Sequence, residues 1–171
     1  IRPNPYSIQG KKVTISGFVK YPGDYIITSP DEKVTDIISR AGGITPGGYL
    51  EASQLIRNNL DIKLSFEKIV KHPKSKLNFE VADGDSIIIN QKSNIVTITG
   101  AVNNPGNYQF VSNRTLSDYV EFAGGFGTNA SRWATYVTHP NGKSSKVGLF
   151  KFSPRIMDGS VITVASPQIV G

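Results

Sequence analysis

Cysteine is absent from the 171-residue chain, which excludes disulfide frameworks and thiolate metal sites. Histidine occurs twice, as His72 and His139, each followed by a proline. That is too few for a His-rich metal centre, and a nucleophile–histidine pair has little to draw on. A Ser-His-Asp site assembled in space stays open as the catalytic alternative. Long apolar runs are missing as well. The longest aliphatic run, Ile87-Ile88-Ile89, is strand-sized, far below the ~20 residues that span a bilayer as a helix. The chain starts at Ile1 without an initiator Met or a signal-like segment, so we read it as an excerpt or a processed chain. There is no concentrated basic stripe. The net charge of +6 falls as +3 on residues 1–12, −1 on 13–90, +1 on 91–95 and +3 on 96–171. The one local cluster, Lys71-His72-Pro73-Lys74-Ser75-Lys76, lacks interleaved aromatics and reads as a solvated loop, so no nucleic-acid partner is expected.

What the chain does contain is an internal repeat. Val13-Thr14-Ile15-Ser16-Gly17-Phe18-Val19, followed by Lys20-Tyr21-Pro22-Gly23-Asp24-Tyr25, returns as Val96-Thr97-Ile98-Thr99-Gly100-Ala101-Val102 and Asn103-Asn104-Pro105-Gly106-Asn107-Tyr108. A second block, Val34 to Gly43, matches Leu116 to Gly125 and ends in Ala-Gly-Gly both times. A third pairs Asp83-Gly84-Asp85-Ser86-Ile87 with Asp158-Gly159-Ser160-Val161-Ile162. The first block alternates with period two and predicts a strand, with Gly17 and Gly100 marking a bulge or a close backbone approach. Pro22-Gly23 and Pro105-Gly106 predict type II turns leading into returning strands. Val34, Ile37, Ile38 and Ala41, like Leu116, Tyr119, Val120 and Ala123, form one helical face. Thr115 is a candidate N-cap with Asp118 as its capping-box partner, whereas Lys33 leaves the first helix poorly capped. Gly42-Gly43 and Gly124-Gly125 terminate the helices; they follow helices, so they are not phosphate loops.

Further strands are expected at 54–57, near 61–64 and at 135–139, with one helical turn near Phe66–Ile69. Asn141-Gly142 predicts a two-residue hairpin into a strand near 145–149. The order hairpin, helix, two strands, closing strand predicts an α+β fold: two tandem β-grasp-like domains, each a small mixed sheet wrapped on one short helix. The boundaries read as a leader at 1–12, modules at 13–90 and 96–165, a short linker at 91–95 and a tail at 166–171. So short a linker leads us to expect that the modules touch.

These motifs resemble the SLBB module, the soluble-ligand-binding β-grasp. The fold-signature positions are Gly17, Pro22, Gly23, Gly42, Gly43, Asp83, Gly84, Gly100, Pro105, Gly106, Gly124, Gly125, Asp158 and Gly159. The second copy departs at Ser160, where the family usually keeps an acidic residue, and at Phe126-Gly127 in place of Ile44-Thr45. The resemblance implies a non-enzymatic role, with no cofactor. Tandem copies imply a bacterial polysaccharide export protein for capsule or exopolysaccharide, on the periplasmic side of the envelope and outer-membrane associated through other parts of the protein. The implied partners are the polysaccharide, further copies in a ring and an inner-membrane export protein. A soluble-ligand or glycan-binding module outside any translocon is the alternative.

Candidate ligand or partner contacts are Tyr21, Arg57, Asn58, Arg132 and Trp133. Tyr21 should be exposed at a hairpin tip. Trp133, the one tryptophan, is read first as core packing and second as a sugar platform or protein-contact anchor. Arg57 and Asn58 end a strand where acidic sugars or a neighbouring subunit could meet them, though solvated charge is the simpler reading. Asp83 and Asp85 are the nearest approach to a glycosidase or metal-binding carboxylate pair, and they read more simply as a turn before a strand.

Overall fold

The computed structural model describes residues 10–147 and 153–167. The expected leader and tail therefore lie largely outside the described residues, as do Gly148 and Leu149 of the expected strand near 145–149. The chain divides into two compact units, Ile1–Gln91 and Lys92–Gly171.

The first unit contains β1 (Lys12–Gly17), β2 (Gly23–Ile26), α1 (Val34–Arg40), β3 (Gly48–Arg57), β4 (Leu60–Ile62), α2 (Phe66–Lys71) and β5 (Ser86–Gln91). Its sheet order is β2-β1-β5-β3-β4, with β1 and β5 parallel and the other pairs antiparallel. The second contains β6 (Ile95–Gly100), β7 (Gly106–Gln109), α3 (Leu116–Phe122), a 3-10 turn at Arg132–Ala134, β8 (Tyr136–Thr138), β9 (Ser144–Lys146) and β10 (Val161–Val164). Its order, β7-β6-β10-β8-β9, repeats the first. Two mixed sheets of five strands with few helices make the α+β class plain.

Alternation places one face of each strand on the core. Val13 and Ile15 of β1 and Ile87 and Ile89 of β5 meet Val34, Ile37, Ile38 and Ala41 of α1, and all are buried. In the second unit Val96, Ile98, Ile162 and Val164 meet Leu116, Tyr119, Val120 and Ala123. Tyr119 is fully buried, yet its hydroxyl accepts from the Val111 N–H at 2.9 Å and donates to the Val111 carbonyl at 3.2 Å.

Two turns differ from expectation. The Pro-Gly pairs do not make type II turns. Gly106 has no positive φ and Gly23 lies at +149°; both already pair in the ladder, with Ile98 and Ile15. The chain instead makes a longer excursion pinned to the helix end. Lys20 and Tyr21 donate to the Gly43 and Ala41 carbonyls, and Val19 bridges Ile44. Asn103, Asn104 and Val102 do the same with Gly125, Ala123 and Phe126. The two motifs are therefore the two sides of one joint. Phe126-Gly127 keeps the contacts of Ile44-Thr45, since Gly127 donates to Ala101 as Thr45 does to Phe18. The second difference is the β8–β9 loop. His139 N–H bonds to Lys143 and Gly142 N–H to His139, with Gly142 at φ +80°. This is a three-residue loop with a glycine bulge, because Pro140, the residue that a two-residue loop would pair with Lys143, has no N–H to donate, and His139 makes that pair instead.

Gly17 and Gly100 show why the strand glycine is there. A Cβ on either would stand 2.0 Å from the carbonyl oxygen of Ile89 or Val164, and φ is +85° or +88°.

The two helices solve the same capping problem differently. Thr115 Oγ1 accepts from Asp118 N–H at 3.2 Å while the Asp118 carboxylate accepts from Thr115 N–H at 2.9 Å. Lys33 supplies no side-chain cap, and the extra segment after β4 compensates. Asn78, 2% exposed, accepts from Thr35 N–H and donates to Thr35 Oγ1, and the Phe79 carbonyl takes the Val34 N–H. The segment that lengthens the first module thus completes its helix.

Candidate functional site

In the first unit Arg57 and Asp85 form a bidentate ion pair. Arg57 Nε donates to Oδ1 at 2.8 Å and Nη2 to Oδ2 at 2.7 Å. The Asp85 side chain is fully buried and that of Arg57 is 30% exposed. Asp85 also accepts from Ala82 N–H at 2.8 Å, and Arg57 donates to the Glu80 carbonyl and lies over Phe79. The bonds from Asp85 raise the Arg57 pKa, against the opposing effect of burial. Arg57 is thus paired within its own module instead of standing as a solvated charge. Asn58 and Asn59, at φ +51° and +62°, are the two central residues of a left-handed hairpin turn from β3 to β4. Asp83 does not share a task with Asp85: its carboxylate accepts from Lys12 N–H at 2.9 Å.

Tyr21 is 56% exposed, as expected, with the Lys20 ammonium 5.2 Å from its ring centroid. It follows the C-terminal end of β1, whereas the Asp85–Arg57 pair lies at the N-terminal end of the parallel strand β5. Tyr21 and Arg57 therefore stand at opposite ends of one sheet and do not make a common site.

In the second unit Trp133 corrects the sequence reading that put core packing first. It is 57% exposed on the 3-10 turn before β8, none of whose three residues is buried. Arg132 beside it stacks over Phe126 at 5.2 Å. The register puts His139 where the first unit has Arg57, and Ser160 replaces Asp85. Ser160 keeps the turn, accepting from Met157 N–H at 2.9 Å, but offers no charge. His139 Nε2 lies 3.0 Å from Ser145 Oγ, while its Nδ1 is buried without a hydrogen-bond partner among the described residues. Burial lowers its pKa. A serine–histidine contact thus exists, but among the described residues no carboxylate orients the imidazole as acyl-transfer chemistry requires. Among the described residues, no group of three or more His, Asp or Glu side chains could hold a metal ion.

Residues that the sequence did not single out, together with the N-cap Thr115, line a cleft of about 210 Å3 in the second unit, between Ser112–Thr115 and Ser153–Ile156. Arg114 and Arg155 both face it. Their separation in sequence left no motif, and only a comparison of equivalent positions in the two copies could have brought them together.

Two family models, each described as the SLBB domain, match the chain, one over residues 11–89 and the other over residues 95–165. No curated protein matches it in a sequence comparison. No helix among the described residues is long and apolar enough to cross a membrane.

Proposed function

Because the chain belongs to the SLBB domain family through both of its halves, we propose that it is the non-enzymatic, extracytoplasmic part of a bacterial polysaccharide export protein. SLBB domains are binding and export modules that occur in such proteins. The observation that carries the reading is the tandem itself: two complete modules whose matched segments are separated by only residues 90–94. Most of the repeated residues build backbone joints and cores rather than reactive groups, which suits a scaffold that assembles into rings, lines a path or docks an inner-membrane partner. Its place would be the periplasmic side of the envelope, tied to the outer membrane through other parts of the protein.

Deleting residues 11–165 from the full-length protein in its host should abolish or sharply reduce secreted capsule or exopolysaccharide. Sedimentation of the full-length protein should show an assembly larger than a monomer. A strict monomer whose deletion leaves secretion unchanged would overturn the proposal.

A second reading, a glycan-binding module acting outside a translocon, has one specific support. Trp133 and Arg132 sit side by side on an exposed turn, an arrangement suited to stacking on a sugar ring. Normal sugar binding by an isolated, monomeric full-length protein would favour it.

A further inference from the structure

The two modules differ most in charge where the loop before the helix meets the segment before the closing strand. Counting back from the shared Asp-Gly turn makes Ile156 equivalent to Val81, Arg155 to Glu80, Pro154 to Phe79 and Ser153 to Asn78. The burial of Val81 and Ile156 agrees with that alignment. Counting back from the helices makes Arg114 equivalent to Glu32, next to the equivalent pair Thr115 and Lys33.

In the first module these two segments are zipped shut. Val34 N–H bonds to the Phe79 carbonyl, Val81 N–H bonds to the Glu32 carbonyl and Lys33 bridges Glu80. Glu32 is turned to an internal partner, Arg40, at 2.6 Å. In the second module none of these backbone bonds joins the equivalent described residues, and the segments part to form the cleft of about 210 Å3. Both glutamates have become arginines. Neither Arg114 nor Arg155 has an ion-pair partner among the described residues, and no carboxylate lines the cleft. The nearby carboxylate of Asp118 does not line the cleft; it accepts from Thr115 N–H at 2.9 Å, and that bond together with the charge of Arg114 lowers its pKa. Ser112, Thr115 and Ser153 add hydroxyls to the wall.

Two arginines on one concave wall place like charges on the same cleft, an arrangement that an anion between them would relieve, and their planar donor forks match an oxyanion. We propose that the cleft of the second module binds an oxyanion group and that, on the export reading above, this group is the carboxylate of an acidic polysaccharide. The first module has lost, or never had, that capacity. On this view the duplication divides the labour: one copy is closed by internal pairing and the other is opened for a ligand.

The test is nuclear magnetic resonance titration of the 171-residue chain with trigalacturonate, with neutral maltotriose and with inorganic phosphate. Trigalacturonate should shift resonances of Ser112–Thr115 and Ser153–Ile156, and maltotriose should not. Arg114→Glu and Arg155→Glu, which install the first module's residues, should each weaken binding by about tenfold or more. Lys143→Glu, on the β8–β9 turn, should leave it unchanged. Binding should weaken between about 10 mM and about 500 mM salt, as Debye screening of an open cleft requires. Arg114→Gln with Arg155→Gln serves if a charge reversal unfolds the module. Binding of phosphate with the same arginine dependence, but not of trigalacturonate, would uphold the oxyanion site and count against the polysaccharide. Failure of both anions to bind at low salt, or binding unchanged in the double variants, would overturn the cleft itself.

Discussion

Replacing Arg57 by alanine should destabilise the first module far more than replacing its partner, although both changes break the same ion pair. Asp85 is fully buried, and Arg57 Nη2 at 2.7 Å and Nε at 2.8 Å are two of the three donors to its carboxylate, the third being the Ala82 N–H. Removing the arginine strands a charge that solvent cannot reach, a loss that costs about 3 kcal/mol or more. Asp85→Ser leaves Arg57 with a route to water, since its side chain is 30% exposed. The serine can also keep the Ala82 N–H bond, as Ser160 does with Met157 N–H at 2.9 Å. Screening at that exposure limits the second loss to about 1–1.5 kcal/mol. The double variant should then cost about 2 kcal/mol, less than Arg57→Ala alone, because the stranded charge is gone. Hydrogen exchange of the β5 amides, Ile87 to Ile89, reads the first module without interference from the second. Arg57→Ala should speed their exchange by about a hundredfold and Asp85→Ser by about tenfold. Equal losses for the two single variants, or a double variant worse than both, would refute the claim that stranding Asp85 dominates.

Other outcomes follow from the same geometry. Gly17→Ala or Gly100→Ala should abolish protection of its own module by circular dichroism and hydrogen exchange, given the 2.0 Å approach to a carbonyl. Gly106→Ala, with nothing within 4 Å and no positive φ, should change stability by less than about 0.5 kcal/mol. Asn78→Ala should cost about 2 kcal/mol in urea unfolding of the first module, because Thr35 N–H and the Pro73 carbonyl lose their partner beneath the surface. Acidification should weaken the second module through His139. Burial lowers its folded pKa, so the unfolded chain binds the proton more readily, and stability present above the ordinary value near 6.5 is lost as the pH falls below it. His139→Gln should flatten that slope in β10 hydrogen exchange.

The helix faces and strand alternations were legible because each repeats a period that water imposes: Val34, Ile37, Ile38 and Ala41 are all buried, as are Leu116, Tyr119, Val120 and Ala123. The turn types were less so. Gly23 and Gly106 stand in a turn-like sequence, but whether they turn or pair depends on contacts with Ala41 and Ala123 that are distant in the chain. Arg57 looked like a surface charge because its partner, Asp85, is 28 residues away. Trp133 looked like core because large aromatics usually are, but it stands on a three-residue turn none of whose residues is buried. The cap supplied by Asn78 and the cleft shared by Arg114 and Arg155 were illegible for one reason: each joins segments about 40 residues apart, and local pattern carries no distance.

The order β2-β1-β5-β3-β4 puts the last-made strand in the middle of the sheet. Until β5 leaves the ribosome, β1 and β3 have no strand to join them, and each presents an open edge. A half-emerged module therefore cannot lock, so its polypeptide stays threadable up to Gln91. The arrangement repeats with β10, which gives each module its own late zipper strand. A chain built this way closes one module at a time, each only once its last strand is free to enter the sheet.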